Sequence, residues 1–310
     1  MRTALECEGL TKRYGGLLAV DGLKLCVAQG EAYGLLGPNG SGKSTTIGMI
    51  VGVLAPDSGI ARVHGHDVWR QPRQAKGLVG YVPQEVALYP DLTGRENLRY
   101  FGRLFGLRGR RLAERVSALL DVVGLADRAD QLLGTYSGGM QRRINIAAGL
   151  VHEPSVLILD EPTVGVDPQS RNAILESVQR LVADGMTVLY TSHYMEEVEK
   201  VCDRVGVIDH GRILAEGTPE ELMGMLAPGG RTEIEVEGDV RAAEAAVAAL
   251  AGVTVTAHRS RLLIAWGEGA DRLADVLRAL DGVVTVVRTE AVRPTLEEVF
   301  LQLTGTSLRD

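Results

Sequence analysis

The sequence predicts an α/β domain followed by a smaller α+β domain. Residues 32–36 form an apolar run that precedes a glycine-rich turn and a helical pattern over 44–54, the order strand, loop, helix. Two further apolar runs, 156–159 and 187–191, are typical of strands buried on both faces of a parallel sheet. After Pro228-Gly229-Gly230 the patterns follow the order βαββαβ, which is typical of a ferredoxin-like split βαβ domain.

The first domain is expected to span residues 1–226. Its first thirty residues predict an antiparallel edge sheet of short strands, at 5–10, 11–15 and 23–27. Between 91 and 150 the apolar residues fall at helical spacing, which predicts an inserted helical lobe. The parallel core is expected to end in a hairpin of strands 204–208 and 212–216, which turns at His210-Gly211.

The second domain is expected to span residues 227–310. Its strands are predicted at 232–238, 253–258, 262–266 and 283–288, and its helices at 239–252 and 269–280. A last helix is predicted to begin after Thr295, with Glu298 completing a capping box. One face of that helix is apolar and is expected to be buried, at Leu296, Val299, Phe300 and Leu303. No catalytic constellation occurs in this domain, so we expect a role in assembly or regulation.

Composition and charge exclude several classes of protein. The 310 residues are 45% hydrophobic and 24% charged, which is typical of globular proteins. The formal net charge of −7 has the wrong sign for a protein that wraps nucleic acid through bulk electrostatics. No uncharged stretch reaches the roughly 20 residues of a membrane helix. The acidic start argues against a secretory signal, so we expect a cytosolic protein. Cys7, Cys26 and Cys202 lack C-x-x-C spacing and are expected to be buried structural thiols.

A phosphate-binding motif follows the first buried strand. Residues 37–44 fit the pattern G-x-x-x-x-G-K-[ST] between a predicted strand and a predicted helix, which is the context that this motif requires. Glycines let successive backbone N–H groups converge on phosphate oxygens, and the helix N-terminus adds positive charge. Lys43 should reach the β- and γ-phosphates, and the Ser44 hydroxyl is placed to ligate Mg²⁺. A glycine-rich turn with a chance Lys-Ser pair is the alternative, and the flanking elements disfavour it.

Two adjacent carboxylates, Asp160 and Glu161, follow a second buried strand. Ligands bind at this end of the strands in open α/β sheets. Asp160 is predicted to hold magnesium, directly or through water, and Glu161 to polarise the water that attacks the γ-phosphate. Acidic residues at a helix N-terminus would explain the pair without any catalytic role. The preceding phosphate motif makes the catalytic interpretation stronger.

A second anion site is predicted in the long stretch between these two motifs. Ser137 can cap a helix whose first turn, Gly138-Gly139, is nearly bare backbone. Taken alone, the segment would be no more than a flexible helix cap. One chain is unlikely to bring this site and the phosphate loop together.

The order of these motifs resembles that of the nucleotide-binding subunits of ATP-binding cassette (ABC) transporters, over Met1 to about Leu226. The matching positions are Tyr14 for the adenine-stacking aromatic, residues 37–44 for Walker A, Gln84 for the Q-loop, Ser137 to Gln141 for the signature, Asp160 and Glu161 for Walker B, Asp167 for the D-loop and His193 for the switch histidine. Many members carry Leu-Ser-Gly-Gly-Gln at the signature, whereas Tyr136 and Met140 replace the outer residues here. The tail, including Gly211-Arg212 and 294–300, resembles the daunorubicin-resistance type of drug and antibiotic exporter.

This resemblance implies the fold of a P-loop NTPase with a mixed sheet, an antiparallel β subdomain and a helical subdomain. It implies catalytic roles for Glu161, His193 and Gln84, and magnesium binding by Ser44, Gln84 and Asp160. It implies ATP binding by Tyr14, Gly37, Pro38, Asn39, Gly40, Ser41, Gly42, Lys43, Ser44, Thr45, Ser137, Gly138, Gly139, Gln141 and Asp167. It also implies a head-to-tail dimer of two such subunits, a separate membrane permease and a position on the cytoplasmic face of the membrane.

Two other functions remain compatible with the motifs. The first is a soluble cassette ATPase that acts on DNA or ribosomes, although such proteins usually carry two cassettes or zinc and coiled-coil insertions. The second is a regulatory module that binds ATP without turnover, which the intact Glu161 and His193 oppose. An exporter ATPase with no nucleic-acid partner is the function expected from the sequence.

Overall fold

The computed structural model describes residues 2–226, 230–267 and 272–305. Contacts divide them into an N-terminal unit that ends at Thr218 and a C-terminal unit that spans Pro219–Gly305. This division lies earlier than the boundary expected after residue 226, because a helix at Pro219–Gly224 packs within the second unit. Pro228 and Gly229 of the predicted linker lie outside the described residues.

The first sheet of the N-terminal unit is antiparallel. Its strands are β1 (Thr3–Tyr14), β2 (Leu17–Ala28), β4 (Ser58–Val63) and β5 (His66–Asp67), in the order β2-β1-β4-β5. The predicted edge sheet is present, but the three short strands expected at its start are two long ones. Gly9 and Gly22 adopt φ of 62° and 60° where the register of β1 and β2 shifts. They form bulges within the ladder and not turns that end a strand.

The second sheet is mostly parallel, and the predicted site residues follow several of its strands. Its strands are β3 (Ala32–Leu36), β6 (Val79–Val82), β7 (Val156–Asp160), β8 (Thr187–Thr191), β9 (Arg204–Asp209) and β10 (Arg212–Gly217), in the order β10-β9-β3-β8-β7-β6. Every residue of β3, β7 and β8 is buried, as expected for central strands covered on both faces. The predicted hairpin is confirmed, with positive φ at both His210 and Gly211. The four-residue β6 was not predicted.

Helices complete the N-terminal unit. Four of them are α1 (Lys43–Ile50), α2 (Pro72–Gly77), α6 (Pro168–Ala183) and α7 (Met195–Val201). α1 is shorter than predicted, because Gly52 adopts a φ of 71° just beyond it. α1 contacts β1, β2 and β4, and its Ile47 and Ile50 share one apolar core with side chains of both sheets. The core therefore lies between the two sheets.

The helical lobe predicted at 91–150 is confirmed. It consists of α3 (Gly94–Leu104), α4 (Gly109–Val122) and α5 (Gly138–Gly149), with short 3₁₀ turns at Ala126–Arg128 and Leu133–Thr135. Thr93 and Glu96 form a capping box at the start of α3. All three helices contact one another, so the lobe has its own packing.

The C-terminal unit has the predicted ferredoxin-like topology. Its elements are α8 (Pro219–Gly224), β11 (Gly230–Gly238), α9 (Val240–Ala248), β12 (Val253–His258), β13 (Arg261–Trp266), α10 (Leu273–Leu280), β14 (Val284–Ala291) and α11 (Leu296–Thr304). The sheet order is β12-β13-β11-β14, and every pair is antiparallel. Residues 269–271 of the predicted second helix lie outside the described residues.

The last helix is capped and buried as predicted. Thr295 and Glu298 form both hydrogen bonds of the capping box. Leu296, Val299 and Phe300 are buried, Leu303 is half-buried, and α11 contacts α8. The apolar face therefore packs within its own unit.

One expectation about the cysteines is wrong. Cys7 and Cys202 are buried, and burial raises the pKa of both thiols, whereas Cys26 is exposed. Cys26 lies on β2, where side chains alternate between the two faces of the sheet, and its side chain points to the open face. No helix in the described part of the chain is long and apolar enough to cross a bilayer.

Candidate nucleotide site

Four loops meet at one edge of the parallel sheet. β3, β8, β7 and β6 are neighbours in that order and run parallel, so their carboxyl ends lie side by side. The phosphate loop, residues 37–44, follows β3, and His193 follows β8. Glu161 follows β7, and Gln84 follows β6. The fold thus brings together four segments that are far apart in the sequence.

Glycine is required at two positions of the phosphate loop. A Cβ at Gly37 would lie 2.4 Å from both the Ile208 carbonyl oxygen and Ser41 Oγ. At Gly42, where φ is 105°, a Cβ would lie 2.5 Å from the Ala19 carbonyl oxygen. Gly42 also precedes α1 without a side-chain cap. Because glycine has no side chain, no side chain at position 42 accepts a hydrogen bond from the first N–H groups of α1. A helix N-terminus of this kind suits an anion.

Lys43 is the buried cation of this loop. Its Nζ donates hydrogen bonds to the carbonyl oxygens of Gly37 at 2.6 Å and Pro38 at 3.1 Å. Burial lowers the pKa of Lys43, and the Glu161 and Asp160 carboxylates oppose that shift by stabilising the ammonium. The ammonium is thus held near the loop backbone and the two acids.

A cleft of about 280 Å³ opens at this edge of the sheet. Most of its wall consists of predicted site residues, and only Leu17 and Ala19 among the lining residues were not predicted. The lining residues are Tyr14, Leu17, Ala19, Asn39, Gly40, Ser41, Gly42, Lys43, Ser44, Thr45, Gln84, Glu161 and His193. Tyr14 ends β1 and is 50% exposed, so its ring is free on one side. Gly37, the first residue of the loop, is buried, and neither Gly37 nor Pro38 is among the residues that line the cleft.

Asp160, at the end of β7, is not among the residues that line the cleft. Its carboxylate is buried and accepts a hydrogen bond from Thr191 Oγ1 at 2.8 Å. Burial raises the pKa of Asp160, whereas the Thr191 hydrogen bond and the charges of Lys43 and Arg142 lower it. The carboxylate is therefore placed where a further cation would stabilise its ionised form.

Glu161 and His193 form a pair in the cleft. His193 Nε2–H donates to Glu161 Oε1, because an ionised carboxylate can only accept. Glu161 has a φ of 47°, which is unusual for a residue with a side chain. Its backbone N–H donates to Thr191, to the carbonyl oxygen at 3.2 Å and to Oγ1 at 3.0 Å. Strand β8 thereby holds both members of the pair, since Thr191 ends β8 and His193 follows it.

The predicted signature residues lie outside the cleft. Ser137, Gly138, Gly139, Gln141 and Asp167 are absent from its wall in the described structure. Ser137 caps α5 as predicted, with Oγ accepting from the Met140 N–H at 3.3 Å, and it is exposed. The Gln141 amide donates to the carbonyl oxygens of Leu133 and Tyr136, so that side chain braces the signature turn from within.

Gly139 packs against the helix that begins at Asp167. A Cβ at Gly139 would lie 2.3 Å from Ser170 Cβ, and Asp167 caps α6 by accepting from the Ser170 N–H at 3.0 Å. This hydrogen bond is the main reason that the pKa of Asp167 is lowered. The signature turn and the start of α6 are thus in direct contact.

Comparison with known proteins decides the family. Residues 20–164 match the protein family described as ABC transporter. The chain is 46% identical to the linearmycin resistance ATP-binding protein LnrL of Bacillus subtilis, over 99% of this chain and 100% of that protein. The chain belongs to the ATP-binding subunits of ABC transporters. As such a cassette it binds ATP and is an ATPase.

The match to drug-resistance proteins extends over both units of the cassette. Identity to the daunorubicin/doxorubicin resistance protein DrrA of Streptomyces peucetius is 45%, over 97% of this chain and 92% of that protein. The predicted resemblance to the daunorubicin-resistance branch is confirmed.

A solved cassette structure is also similar to this chain. CbiO1 of Clostridium perfringens, part of the transporter complex CbiONQ, has a TM-score of 0.67 at 28% identity, over 72% of this chain and 92% of that chain.

A buried glutamate that the sequence analysis missed supports the histidine loop of the cassette. Glu197 lies on α7, and its Oε2 accepts hydrogen bonds from Thr163 Oγ1, Tyr190 OH and Ser192 Oγ at 2.6–2.8 Å. Its other oxygen, Oε1, lies 3.4 Å from Arg171 Nε. One carboxylate thus ties the segments on both sides of the Glu161–His193 pair to α6. The signal in the sequence was a charged residue on the apolar face formed by Met195, Val198 and Val201.

We expect Glu197→Ala to lower the free energy of unfolding by about 1–3 kcal/mol or more, because it leaves the buried hydroxyls of Thr163, Tyr190 and Ser192 without their acceptor, and an unsatisfied buried polar group costs about 1–3 kcal/mol. Urea unfolding of the full chain measures this loss. Glu196→Ala is the matched control, because Glu196 is the exposed neighbour on the same helix, and surface substitutions usually change stability by no more than about 0.5 kcal/mol. Equal losses in the two variants would contradict the role given to Glu197.

Proposed function

We propose that this cassette binds MgATP in the cleft and hydrolyses it to drive the export of a drug-like or lipid-like substrate through a separate membrane permease. The observation that carries the proposal is the meeting of Lys43, Glu161 and His193 at one cleft. The 45–46% identity to resistance ATP-binding proteins, which extends over nearly the whole chain, supports export. The Nod factor export ATP-binding protein I of Ralstonia nicotianae, 41% identical over 99% of this chain, adds a relative named for export.

ATP is bound by stacking and by the phosphate loop. The exposed face of Tyr14 takes the adenine ring, which would contribute roughly 1–3 kcal/mol if the ring stacks as nucleic-acid bases do. Backbone N–H groups between Asn39 and Thr45 surround the phosphates, and Lys43 exchanges its carbonyl partners for the β- and γ-phosphate oxygens. Burial suits this exchange, because a desolvated ammonium gains more from an anion than an exposed one does.

The oxygen atoms available in the site fit a magnesium ion. Ser44 and Gln84 line the cleft and carry a hydroxyl and an amide oxygen, and Asp160, at the end of the same strand that precedes Glu161, supplies a buried carboxylate whose ionised form a cation would stabilise. Mg²⁺ prefers such hard oxygen ligands and keeps several waters. When bound, the ion neutralises charge on the phosphate oxygens.

Hydrolysis uses the Glu161–His193 pair. Glu161 accepts a proton from water as the water oxygen forms a bond to the γ-phosphorus, and the bond to the ADP oxygen breaks with its electron pair leaving on ADP. The products are ADP and phosphate. His193 positions the carboxylate through its Nε2–H, and Gln84 contacts the attacking water from the neighbouring loop.

The signature residues act on a second copy of the chain. Ser137, Gly138, Gly139, Gln141 and Asp167 lie outside the cleft, so they can contribute to ATP binding only by meeting the cleft of another subunit. A homodimer with two ATP molecules between its halves uses both sets of residues. Because Ser137 and Asp167 are both exposed, they are available to that partner.

The permease and the membrane side are inferred from the relatives. As an ATP-binding subunit of a membrane transporter, the chain is peripheral, and we place it on the cytoplasmic face where ATP is present. The net charge of −7 does not favour the alternative of a cassette ATPase that acts on nucleic acid or ribosomes.

We expect the tagged chain, purified from detergent extract of its own host, to bring down a membrane protein with several spanning helices. Mass spectrometry identifies the protein, and nuclease treatment of the extract should leave the recovery unchanged. Recovery of ribosomes or nucleic acid in its place would support the alternative and overturn the transport proposal.

Glu161→Gln should lower ATP turnover by about 10²–10⁴-fold, the usual contribution of a general base, and leave ATP binding intact. Lys43→Ala should instead weaken ATP binding, because it removes the charge that the β- and γ-phosphates meet. Calorimetry and phosphate release measure the two effects separately. Wild-type turnover in Glu161→Gln, or unchanged ATP affinity in Lys43→Ala, would refute the corresponding role.

Mixing Lys43→Ala chains with Ser137→Arg chains should restore part of the ATPase activity that each variant lacks. The mixed dimer has one composite site without either substitution and one site with both. If mixed dimers that are verified as formed have no activity, then either one intact site is insufficient or the head-to-tail arrangement is wrong. A separate cross-link between cysteines placed at positions 40 and 137 of different, otherwise unsubstituted chains distinguishes the two explanations, because its absence means that the arrangement is wrong.

A further inference from the structure

Arg142 is a buried arginine that no predicted role accounts for. It lies on α5, one turn beyond the Ser137 cap, and is 3% exposed. The guanidinium stays protonated in proteins, so its burial is costly unless its N–H groups are hydrogen-bonded. α5 is buried along most of its length, and a charged residue in such a helix calls for a specific partner.

The partners of Arg142 are the backbones of two cleft loops. Nη1 donates to the Pro83 carbonyl oxygen at 2.9 Å, and Nη2 donates to the Glu161 carbonyl oxygen at 3.3 Å. Pro83 is bonded to Gln84, and Glu161 is the proposed general base. The planar fork of one side chain therefore fixes the distance between the backbones of both loops.

The conformation of Glu161 explains why such support is needed. Its φ of 47° is in the left-handed region, where the Cβ crowds the following carbonyl oxygen and strains the backbone. Thr191 holds the N–H of Glu161, while Arg142 and the N–H of Val164 share its carbonyl oxygen. Hydrogen bonds on both sides of the residue thus maintain the backbone that aims its carboxylate into the cleft.

The charge of Arg142 acts in the same place. It lowers the pKa of Asp160, opposing the effect of burial, and both Asp160 and Glu161 stabilise the guanidinium in return. A neutral side chain of the same size would supply the packing without this electrostatic support.

We propose that Arg142 is a positioning residue that holds the Gln84 loop and the backbone of Glu161 in register with the signature helix. The proposal rests on the proposed roles of Glu161 and Gln84. Because α5 begins at Ser137, any shift of the signature turn along the helix axis changes the geometry at both carbonyl groups. Engagement of the signature by a second subunit is thereby linked to the placement of the general base.

Arg142→Lys tests the proposal, because a single ammonium cannot reproduce two N–H bonds in a fixed plane. We expect kcat for ATP hydrolysis to fall by about 10–100-fold, the loss typical when a supporting contact is removed from a reactive group. The dissociation constant of ATP should stay unchanged, since Arg142 does not line the cleft. Arg143→Lys is the matched control, because Arg143 also donates to a backbone carbonyl, that of Val123, but within the helical lobe.

A second measurement separates positioning from general destabilisation. In the Glu161→Gln background, Arg142→Lys should lower the residual turnover no further, because two changes that act through one group are not additive. All rates are normalised to the ATP-binding fraction, and Arg142→Gln, which keeps a planar amide, repeats the test if the lysine variant folds poorly.

Three results would overturn the inference: wild-type kcat in the Arg142 variants, an equal loss in Arg143→Lys, or a parallel loss of ATP affinity and turnover. An inactive wild-type chain would refute the proposed function and not this inference alone.

Discussion

Parallel strands that end at one edge of a sheet determine where this protein can carry out chemistry. The hydrogen-bonded order β3-β8-β7-β6 fixes the spacing of four loops before any of their side chains is considered. Each loop then contributes a different function: a cation, a histidine, a carboxylate and an amide. The strands are fully buried and mostly apolar, so packing of the sheet helps to maintain this spacing together with the hydrogen bonds between the strands.

The site adds buried charged groups and a strained backbone to this packed sheet. Lys43, Asp160, Glu161 and Arg142 are all buried near the sheet edge, and Glu161 has an unfavourable backbone conformation. Each of these costs free energy, and the hydrogen bonds of Thr191, Arg142 and Glu197 offset part of it. The arrangement agrees with the general finding that unfavourable local structure concentrates where a protein acts.

The sequence predicted the parts of this structure that depend on neighbouring residues. The phosphate loop, the central strands, the caps at Ser137 and Thr295 and the ferredoxin-like unit all follow from local spacing. It did not predict that Gly9 forms a bulge and not a turn, because cross-strand pairing decides between the two. Nor did it reveal Arg142 or Glu197, whose partners lie 19 to 59 and 5 to 34 residues away in the chain. Pairing of buried polar groups is a property of the folded chain, and spacing along the sequence does not encode it visibly.

The contact of Gly139 with Ser170 has a consequence for association. With no side chain between them, the signature turn and the start of α6 are held as one body, so Ser137 and Asp167 form a single prearranged surface. A surface that is ordered before it meets a partner loses little conformational entropy on binding. In the homodimer proposed above, the free energy of association would then depend mainly on the charged nucleotide between the subunits, so that a change of one phosphate group would be enough to join or part them.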